Sequence, residues 1–559
     1  MRKILILILL AVSLIAEADK WYIATTGSDT HGKGTLADPW LTLKHACDTV
    51  TGANFVGDTI VVGVGTFTET AQINLGVGVS IYGAGATSII TTGAALDPII
   101  LLASASEGTD GNQSISYLKI DGDLTALTLI EIYARSNVDI HHCTFIDASY
   151  QGIRFHGRSD DLYQQSTIRA VGNSFHDNIV TNCATFDTEH AWDKGRGNFA
   201  FGGQTGMLIY NNIITQPDRG TNANGHGIKF CNHGDNDGTK IYDNIIKVPN
   251  KKGATGATYG YGFAFEIWTQ RGGVEIMRNV IQGCLDIGGY DTNDDEAYGY
   301  ALKIYENNFS LSALSAYDHN AIHFEQGLHG GIQVYRNRFA SYSRPITFST
   351  SATALVQGQE DVTIAYNIFD NVRRAGDGWY GYCFDINMSV TTTVANLRII
   401  NNTINAPAER LYAFIQSNDS WTTFTNMVVR NNIVMNAHAC VEITNGTVTG
   451  INVDNNDFYN TSHVTDYTGA TVTGNTTVNN ITTDPLFVST SDFHLQPTSP
   501  AIDAGIDVSA ITGGKDFHGA SLYGAAYDIG AFEYGVNRMM ILNDSIMPTI
   551  NYKIPLIEH

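Results

Sequence analysis

Four short phrases of the sequence place an ionisable residue between two bulky apolar residues. The ionisable residues are Arg154, Lys229, Glu266 and His323. Because successive side chains of a β-strand point to opposite faces, these residues should face solvent while their apolar neighbours are buried. Strands that stack in register would bring the four side chains into one column.

Ionisable side chains grouped in this way are suited to proton-abstraction chemistry. Lys229 is the candidate base, and Arg154 or Arg271 is the candidate stabiliser of negative charge. Removal of the proton α to a uronate carboxyl group needs such a base and a cation near the developing enolate. The candidate accessory residues are His226, Glu266 and His323. The alternative is a solvated strand face on which opposite charges pair.

Two predicted loops are dense in carboxylates. Their acidic residues are Asp235, Asp237, Asp291, Asp294 and Asp295. Carboxylate oxygens at turn positions are the ligands that Ca²⁺ prefers, although neither loop matches an EF-hand. The loops therefore predict either a weak calcium site or ordinary solvated turns.

Four tyrosines follow the Ile or Val of a recurring strand motif, and they should form an outward stripe. They are Tyr210, Tyr242, Tyr305 and Tyr335, with Met277 at the same place in one copy. Sugar rings stack on aromatic faces, so these residues and Trp268 are candidate substrate-binding residues. The alternative is a structural ladder of stacked aromatic rings.

One repeat organises most of the chain: apolar, any, apolar, two of any kind, Asn, any, apolar. Its copies recur mostly near 30 residues apart, as at 240–246 and 303–309. The predicted Asn column is Asn173, Asn212, Asn244, Asn279, Asn307, Asn337, Asn367, Asn402, Asn432, Asn456 and Asn475, with Cys143 in the first copy. Asn suits a bend because it tolerates left-handed backbone, and stacked amides can satisfy one another.

The repeat predicts an all-β fold, a right-handed single-stranded parallel β-helix with an internal Asn ladder. Right-handed crossovers are the rule for parallel strands. A leucine-rich repeat is disfavoured because no helical segment accompanies each repeat and the phrase L-x-x-L-x-L, present once at Leu124 to Leu129, does not recur. Apolar spacing within 36–51 predicts a short capping helix, which would cover the N-terminal end of the solenoid.

The expected organisation has five parts. They are a signal peptide (1–18), an N-terminal cap with the first coils (19–92), the β-helix (93–483), a non-repeating C-terminal segment (484–535) and a tail without assigned role (536–559). Arg2, Lys3, an apolar run and Ala16-Glu17-Ala18 are typical of a cleaved export signal; an uncleaved anchor is the alternative. We therefore expect a secreted or cell-surface protein with no membrane span after cleavage.

The composition of the chain limits the kinds of partner and site that can be expected. The chain of 559 residues has a formal net charge of −23 and is 43% hydrophobic. An acidic protein is a poor nucleic-acid binder, because phosphate contacts dominate that affinity. The seven cysteines are scattered singly, which indicates neither a disulfide framework nor a zinc site. They are predicted to be buried small hydrophobes.

Several phrases at both ends resemble exported pectate-lyase-like proteins with right-handed β-helix repeats. At the N-terminus they are Tyr22 to Asp29, Asp38-Pro39-Trp40 and Gly57 to Ile60. Near the C-terminus, Ser499 to Gly505 and Asp528 to Tyr534 are similar to the so-called choice-of-anchor group. The resemblance implies the β-helix fold and an extracellular polysaccharide partner. Relatives include lyases, hydrolases, adhesins and phage tailspikes.

Within that resemblance, Gly225 to Phe230 is similar to two active-site phrases. Gly225-His226-Gly227 matches a turn of polygalacturonases, whose paired Asp motif is absent here. The same stretch places Lys229 where one pectate lyase family has its catalytic base. The resemblance thus favours a lyase-like enzyme. The alternatives are a non-catalytic glycan-binding adhesin or tailspike-like protein and a glycoside hydrolase. The protein would be a monomer or a homotrimer.

Overall fold

The structure is a computed structural model, and part of the chain is described. The described residues are 18–157, 168–185, 197–217, 225–230, 236–248, 263–268, 272–289, 302–310, 320–349, 358–372, 381–406, 411–521 and 526–535. Residues 1–17 of the predicted signal peptide and the tail 536–559 lie outside them. Two compact units divide the chain: an N-terminal unit (1–217 and 225–235) and a C-terminal unit (218–224 and 236–559).

The strands of the N-terminal unit are short and pair in parallel. In chain order they are β1 (Lys20–Ile23), β2 (Thr59–Val62), β3 (Gly65–Thr68), β4 (Ile73–Asn74), β5 (Ser80–Tyr82), β6 (Ser88–Thr91), β7 (Ile100–Ala103), β8 (Thr109–Ser116), β9 (Lys119–Asp121), β10 (Thr128–Tyr133), β11 (Arg135–His141), β12 (Thr144–Ile146), β13 (Gln151–His156), β14 (Ala170–Val171), β15 (Ser174–His176), β16 (Ile179–Thr181), β17 (Gly197–Phe201), β18 (Gln204–Thr205), β19 (Leu208–Tyr210), β20 (Ile213–Thr215) and β21 (His226–Phe230). Alternating burial along β2 and β9 shows one face of each strand in the core.

The C-terminal unit continues the same pattern. Its strands are β22 (Thr239–Tyr242), β23 (Ile245–Lys247), β24 (Phe263–Trp268), β25 (Val274–Met277), β26 (Val280–Gln282), β27 (Cys284–Gly289), β28 (Leu302–Tyr305), β29 (Asn308–Ser310), β30 (Asn320–Gly330), β31 (Gln333–Tyr335), β32 (Arg338–Ala340), β33 (Arg344–Ser349), β34 (Gly358–Glu360), β35 (Thr363–Ala365), β36 (Ile368–Asp370), β37 (Gly381–Asn387), β38 (Thr392–Ala395), β39 (Arg398–Ile400), β40 (Thr403–Asn405), β41 (Leu411–Ser417), β42 (Thr422–Thr425), β43 (Val428–Arg430), β44 (Ile433–Met435), β45 (Ala437–Ile443), β46 (Thr447–Thr449), β47 (Asn452–Asp454), β48 (Asp457–Tyr459), β49 (His463–Asp466), β50 (Thr471–Thr473) and β51 (Thr476–Val478).

Each unit is built from long parallel sheets to which every coil adds one strand. In the N-terminal unit, sheet 1 is β1-β2-β5-β8-β11-β15-β19, sheet 2 is β3-β6-β9-β12-β16-β20 and sheet 3 is β4-β7-β10-β13-β17-β21. In the C-terminal unit, sheet 1 runs from β22 to β51, sheet 2 from β23 to β48 and sheet 3 from β24 to β49, and β30 also begins a fourth sheet through β34 to β50. The predicted right-handed parallel β-helix is confirmed.

The Asn ladder is present in both units. Asn307 donates its side-chain amide to Asn337 Oδ1 at 3.0 Å, and its backbone N–H donates to the same oxygen at 3.0 Å. The ladder residues are Asn178, Asn212, Asn244, Asn279, Asn307, Asn337, Asn367, Asn402, Asn432, Asn456 and Asn480. Cys143 donates its N–H to Asn178 Oδ1, so it does occupy the first position. Each amide satisfies the next, as the repeat predicts.

Two details of the predicted ladder are wrong. Asn173 instead accepts from the N–H of Val138, and Asn475 is exposed. The left-handed bend is made by the residue just before each ladder Asn, such as Arg336 with φ 55°. The ladder position therefore requires Asn for the hydrogen bonds of its side-chain amide, and not for its tolerance of left-handed backbone.

The predicted capping helix is confirmed as α1 (Leu43–Thr49), which packs against β1, β2 and β4. The Thr42 side chain caps it by accepting from the N–H of His45 at 3.1 Å. Its face of Leu43, Ala46 and Cys47 is buried. Within the part of the chain that is described, no helix is long and apolar enough to cross a membrane.

The described cysteines behave as the sequence predicts. Cys47, Cys143, Cys183, Cys284, Cys383 and Cys440 are buried free thiols, and Cys231 lies outside the described residues. Burial raises the pKa of Cys440 to about 12, so this thiol stays protonated. These side chains serve packing.

Residues of the C-terminal segment pack on sheet 2 of the C-terminal unit. Phe493, Ala531 and Phe532 contact Ile368, and a second cluster joins Leu495, Ala501 and Ile529 to Ile433. The bends of the β-helix also hydrogen-bond this segment. Asn401, which precedes the ladder residue Asn402, donates its side-chain amide to the carbonyl oxygen of Gly530 at 2.9 Å. Apart from the short helix α2 (Ser509–Thr512), the described part of this segment is irregular.

Gly530→Ala should loosen this packing. Gly530 has φ 105°, and an added Cβ would lie 2.6 Å from Ile433 Cδ1. Gly513 also has positive φ (74°), but nothing lies within 4 Å of an added Cβ. Both variants carry backbone strain, so the steric cost of about 1–3 kcal/mol should separate them. Equal losses of unfolding free energy in urea for Gly530→Ala and Gly513→Ala would contradict this packing.

Candidate functional site

Sheet 3 of the C-terminal unit carries a column of polar side chains. In register along successive strands it reads Glu266, Asp286, His323, Thr347, Asp385, Gln416, Glu442 and Asp466. The sequence predicts Glu266 and His323 in one column, and the structure confirms this with Asp286 between them. The predicted solvent exposure is wrong, because Glu266 is 4% exposed and Asp286 is 1% exposed.

Both nitrogens of the His323 ring are bound. Nδ1 lies 2.7 Å from Asp286 Oδ1, and Nε2 lies 2.7 Å from Ser349 Oγ. Burial lowers the pKa of His323, against the raising influence of Glu325 and Asp385. A neutral imidazole then donates from Nδ1 to the carboxylate and accepts from the serine hydroxyl at Nε2. The ring therefore fixes the orientation of Asp286.

Glu325 follows His323 by two residues on β30, and its side chain hydrogen-bonds Asp286. Burial raises the pKa of Glu325 to about 8, and the charges of Asp286 and Glu266 and a hydrogen bond with Asp286 act in the same direction. At neutral pH its carboxyl group is therefore mostly protonated, beside the carboxyl groups of Asp286 and Glu266. A carboxyl group that keeps its proton at neutral pH is suited to act as a general acid.

Asp385 extends the group on β37. Burial raises the pKa of Asp385, although the Arg344 guanidinium 2.9 Å away favours its charged form. Asn387 also contacts the Asp385 carboxylate and donates to Gln416 Oε1 at 3.1 Å. We call Glu266, Asp286, Glu325 and Asp385 the carboxyl cluster. It holds several buried acids, one compensating arginine and a neutral imidazole, which suits acid–base catalysis.

Three other predicted catalytic residues lie in the N-terminal unit. Arg154 and Lys229 share a register column, separated by Ala200, and Lys229 is 6% exposed. His226 begins β21 and is half-buried, and its carbonyl oxygen accepts from the Asn198 amide at 3.1 Å. Arg271 lies outside the described residues.

The charge of Arg154 is compensated locally. Its guanidinium forms an ion pair with Glu131, and His156 Nε2 lies 2.9 Å from the same carboxylate. Burial tends to raise the pKa of Glu131, but the hydrogen bond from His156 and the charge of Arg154 lower it overall. Arg154 thus forms a buried ion pair with Glu131. Its role in stabilising an enolate stays a prediction.

The predicted tyrosine stripe exists in the C-terminal unit. Tyr242, Met277, Tyr305 and Tyr335 lie in register on sheet 1. The rings of Tyr305 and Tyr335 stack with centroids 4.8 Å apart and planes 4° apart. Arg278 lies over Tyr242 and Arg336 over Tyr335, at 5.4 and 5.1 Å from the ring centroids. Because arginines cover these rings, the contacts favour the structural ladder over a sugar platform.

The remaining predicted binding residues are spread out. Tyr210 lies in the N-terminal unit and stacks on His176. Trp268 ends β24, and its side chain is outside the described part. Asp237 is exposed and accepts from the N–H of Gly273 at 3.2 Å. The other predicted calcium ligands, Asp235, Asp291, Asp294 and Asp295, lie outside the described residues.

Sequence reasoning overlooked Glu325, Arg344 and Ser349. The sequence does contain a pattern that could have indicated Glu325. The alternation that predicts His323 on the outer face of its strand predicts the residue two positions later on the same face. Arg344 and Ser349 lie at the two ends of β33, outside its central apolar–polar–apolar triplet. Nothing in the local sequence connects them to Asp385 or His323.

No protein-family model matches the chain, and no curated protein matches it. Solved structures do share its fold. A Glu-to-Gln variant of the tailspike protein of E. coli bacteriophage HK620, in complex with a pentasaccharide, is 11% identical, with 79% of this chain and 77% of that chain covered and a TM-score of 0.52. A related deletion variant in complex with a hexasaccharide is 11% identical, with 79% and 76% covered and a TM-score of 0.52. A pectate lyase is 13% identical, with 93% and 97% covered and a TM-score of 0.32. At these identities the likeness to the tailspike shows the fold alone.

Proposed function

We propose that the protein cleaves a polysaccharide by hydrolysing glycosidic bonds at the carboxyl cluster of the C-terminal unit. One observation carries the proposal: Glu325 hydrogen-bonds Asp286 in the register column of Glu266, and burial together with these charges raises the pKa of Glu325 to about 8. Glycoside hydrolysis needs a carboxylic acid that stays protonated and a second carboxylate that stays ionised. We assign the first role to Glu325 and the second to Asp286 or Glu266.

The proposed reaction begins with proton donation. The Glu325 carboxyl group gives its proton to the glycosidic oxygen while the bond from that oxygen to the anomeric carbon breaks. Water adds to the anomeric carbon, and its proton passes to an ionised carboxylate, Asp286 or Glu266. Negative charge in the buried cluster stabilises the positive charge that develops on the sugar ring.

His323 acts as a positioning residue in this scheme. Its contacts to Asp286 and Ser349, each 2.7 Å long, hold the ring between two strands. A neutral His323 leaves the Asp286 carboxylate negative, which in turn keeps Glu325 protonated. Arg344 likewise holds Asp385 in place, because its guanidinium lies 2.9 Å from the Asp385 carboxylate and offsets its negative charge.

The substrate is proposed to be an extracellular glycan, which the protein meets after export and removal of residues 1–18. The net charge of −23 opposes a strongly anionic chain. A neutral or weakly charged glycan is therefore favoured, and a uronate-rich one would need a bridging cation. Ca²⁺ bound by the acidic loops would be such a cation, and we keep it as a proposal.

A lyase reaction at Lys229 is the second candidate. It is favoured by the buried position of Lys229, at 6% exposure, in the same register column as Arg154. Lys229 would remove the proton α to a uronate carboxyl group, and the products would carry an unsaturated ring. This candidate uses the N-terminal unit, so variants separate it from hydrolysis at the carboxyl cluster.

The products of a glycan panel test the proposal. Neutral and uronate-containing polysaccharides are incubated with the native protein and with Lys229→Ala, and reducing ends and ultraviolet-absorbing unsaturated ends are measured separately. Hydrolysis predicts new reducing ends without unsaturated ends, at equal rates in both proteins. Unsaturated products that disappear in Lys229→Ala would replace hydrolysis by the lyase. Tight binding without any product would indicate a glycan-binding protein.

A further inference from the structure

A histidine-rich corner of the N-terminal unit lies apart from the chemistry above. β11 and β15 pair in parallel with His141 opposite His176. Each strand ends there, and the next residue makes a left-handed bend: His142 has φ 54° and Asp177 has φ 55°. Two successive coils therefore place two pairs of side chains, His141-His142 and His176-Asp177, at one corner.

The potential metal-binding atoms at this corner are close together. One ligand atom from each of His142, His176 and Asp177 lies within 4.8 Å of the others. Nδ1 of His176 is 2.7 Å from Asp177 Oδ2, so a ring nitrogen and a carboxylate oxygen already face each other. Two ligands of a tetrahedral zinc ion lie about 3.4 Å apart, since each is about 2.05 Å from the metal. Small rotations of the exposed His142 ring and of the Asp177 carboxylate would bring the three ligand atoms to this spacing.

The surroundings orient these rings as in a built metal site. The other ring nitrogen of His176, Nε2, lies 3.1 Å from Asp139 Oδ1. Metal-binding histidines usually donate their second N–H to a carboxylate in this way, which fixes the tautomer and raises the basicity of the ligand. The His176 ring is also stacked between His141 and Tyr210, with planes within 7°.

His142 is oriented separately. Its ring stacks on Tyr117 at 4.8 Å, and its Nδ1 lies 2.9 Å from Nδ1 of His141. His142 itself is exposed, so solvent ions reach this corner. The His142 ring is thus accessible to solvent, whereas the His176 ring is held in place by its neighbours.

We propose that His142, His176 and Asp177 bind a divalent transition-metal ion, with Zn²⁺ as the expected ion. Imidazole nitrogens prefer zinc and its neighbours to Ca²⁺ or Mg²⁺. Two histidines and one carboxylate leave a fourth tetrahedral position for water. The ion links two successive coils and stabilises that part of the N-terminal unit.

Zinc titration of the full-length protein tests this site. The protein is stripped with a chelator, and Zn²⁺ binding is measured by calorimetry for the native chain, His142→Asn and Asp177→Asn. Asn tolerates the left-handed bends, so both variants keep the fold, which circular dichroism verifies. Each should weaken one zinc site by more than about a hundredfold, since loss of an outer partner alone costs about 10–100-fold.

Two further variants set the scale. Asp139→Ala removes the outer partner and should weaken the same site by about 10–100-fold. His31→Gln, at an exposed histidine elsewhere in the N-terminal unit, should leave zinc binding unchanged. The proposal is overturned if native protein, His142→Asn and Asp177→Asn bind zinc with equal stoichiometry and affinity, or if the native protein binds none.

Discussion

Glu325→Gln should lower kcat for glycan hydrolysis by about 10²–10⁴-fold, because the amide cannot donate the proton that the leaving oxygen requires. The side chain keeps its shape, so KM should change little. Reducing-end release from the most active glycan of the panel, measured at pH 6 to 7, gives both constants. The variant also removes the half-buried acid whose pKa is raised to about 8.

Glu442→Gln is the matched control. Glu442 lies in the same register column four strands farther along sheet 3, at about 19 Å from β30. Burial also raises the pKa of Glu442, and the charge of Asp466 acts in the same direction, so the control is a glutamate of the same column outside the carboxyl cluster. The control should retain kcat within about twofold. A Glu325→Gln enzyme as active as the Glu442→Gln enzyme would remove Glu325 from the mechanism.

Asn337→Leu should cost at least about 3 kcal/mol of unfolding free energy. Asn337 accepts from the backbone N–H and the side-chain amide of Asn307, and it donates to the carbonyl oxygen of Ile304 at 2.8 Å and to Asn367 Oδ1 at 3.0 Å. Leucine leaves these buried groups without their partner, and each such group costs about 1–3 kcal/mol. Chemical denaturation measures the total, and hydrogen exchange should show lost protection at the Asn307 amide.

Asn475→Leu provides the comparison for the ladder. Asn475 occupies an exposed position beside β51 and belongs to no rung. The same change of side chain should therefore alter unfolding free energy by no more than about 0.5 kcal/mol. Equal losses of unfolding free energy in Asn337→Leu and Asn475→Leu would show that the ladder hydrogen bonds do not stabilise the fold.

Much of the fold could be predicted because a solenoid repeats its local rules in every coil. Apolar alternation and the recurring Asn are sufficient to predict parallel strands and an internal ladder. The two misplaced rungs share one cause. Asn173 and Asn178 flank β15, and Asn475 and Asn480 flank β51, so two asparagines five residues apart compete for one motif. Only the hydrogen-bond register distinguishes the members of each pair.

The site was harder to predict because its properties depend on several coils together. Alternation correctly places Glu266 and His323 on one face, yet it does not report what covers that face. The raised pKa of Glu325 depends on burial and on Asp286 and Glu266, which are distant in sequence. Lys229 is recognisable from its local phrase, whereas the acidity of Glu325 is set by residues that only the fold brings near it.

The pH dependence of kcat for glycan cleavage tests the central claim most directly. A general acid must be protonated, so the rate should hold through neutral pH and fall along an alkaline limb centred near the Glu325 pKa of about 8. The account predicts that limb in the native enzyme and its absence from the residual activity of Glu325→Gln. A rate that already falls near pH 5, as for an ordinary carboxylic acid, or that keeps rising above pH 9, as for a lysine base, would contradict it.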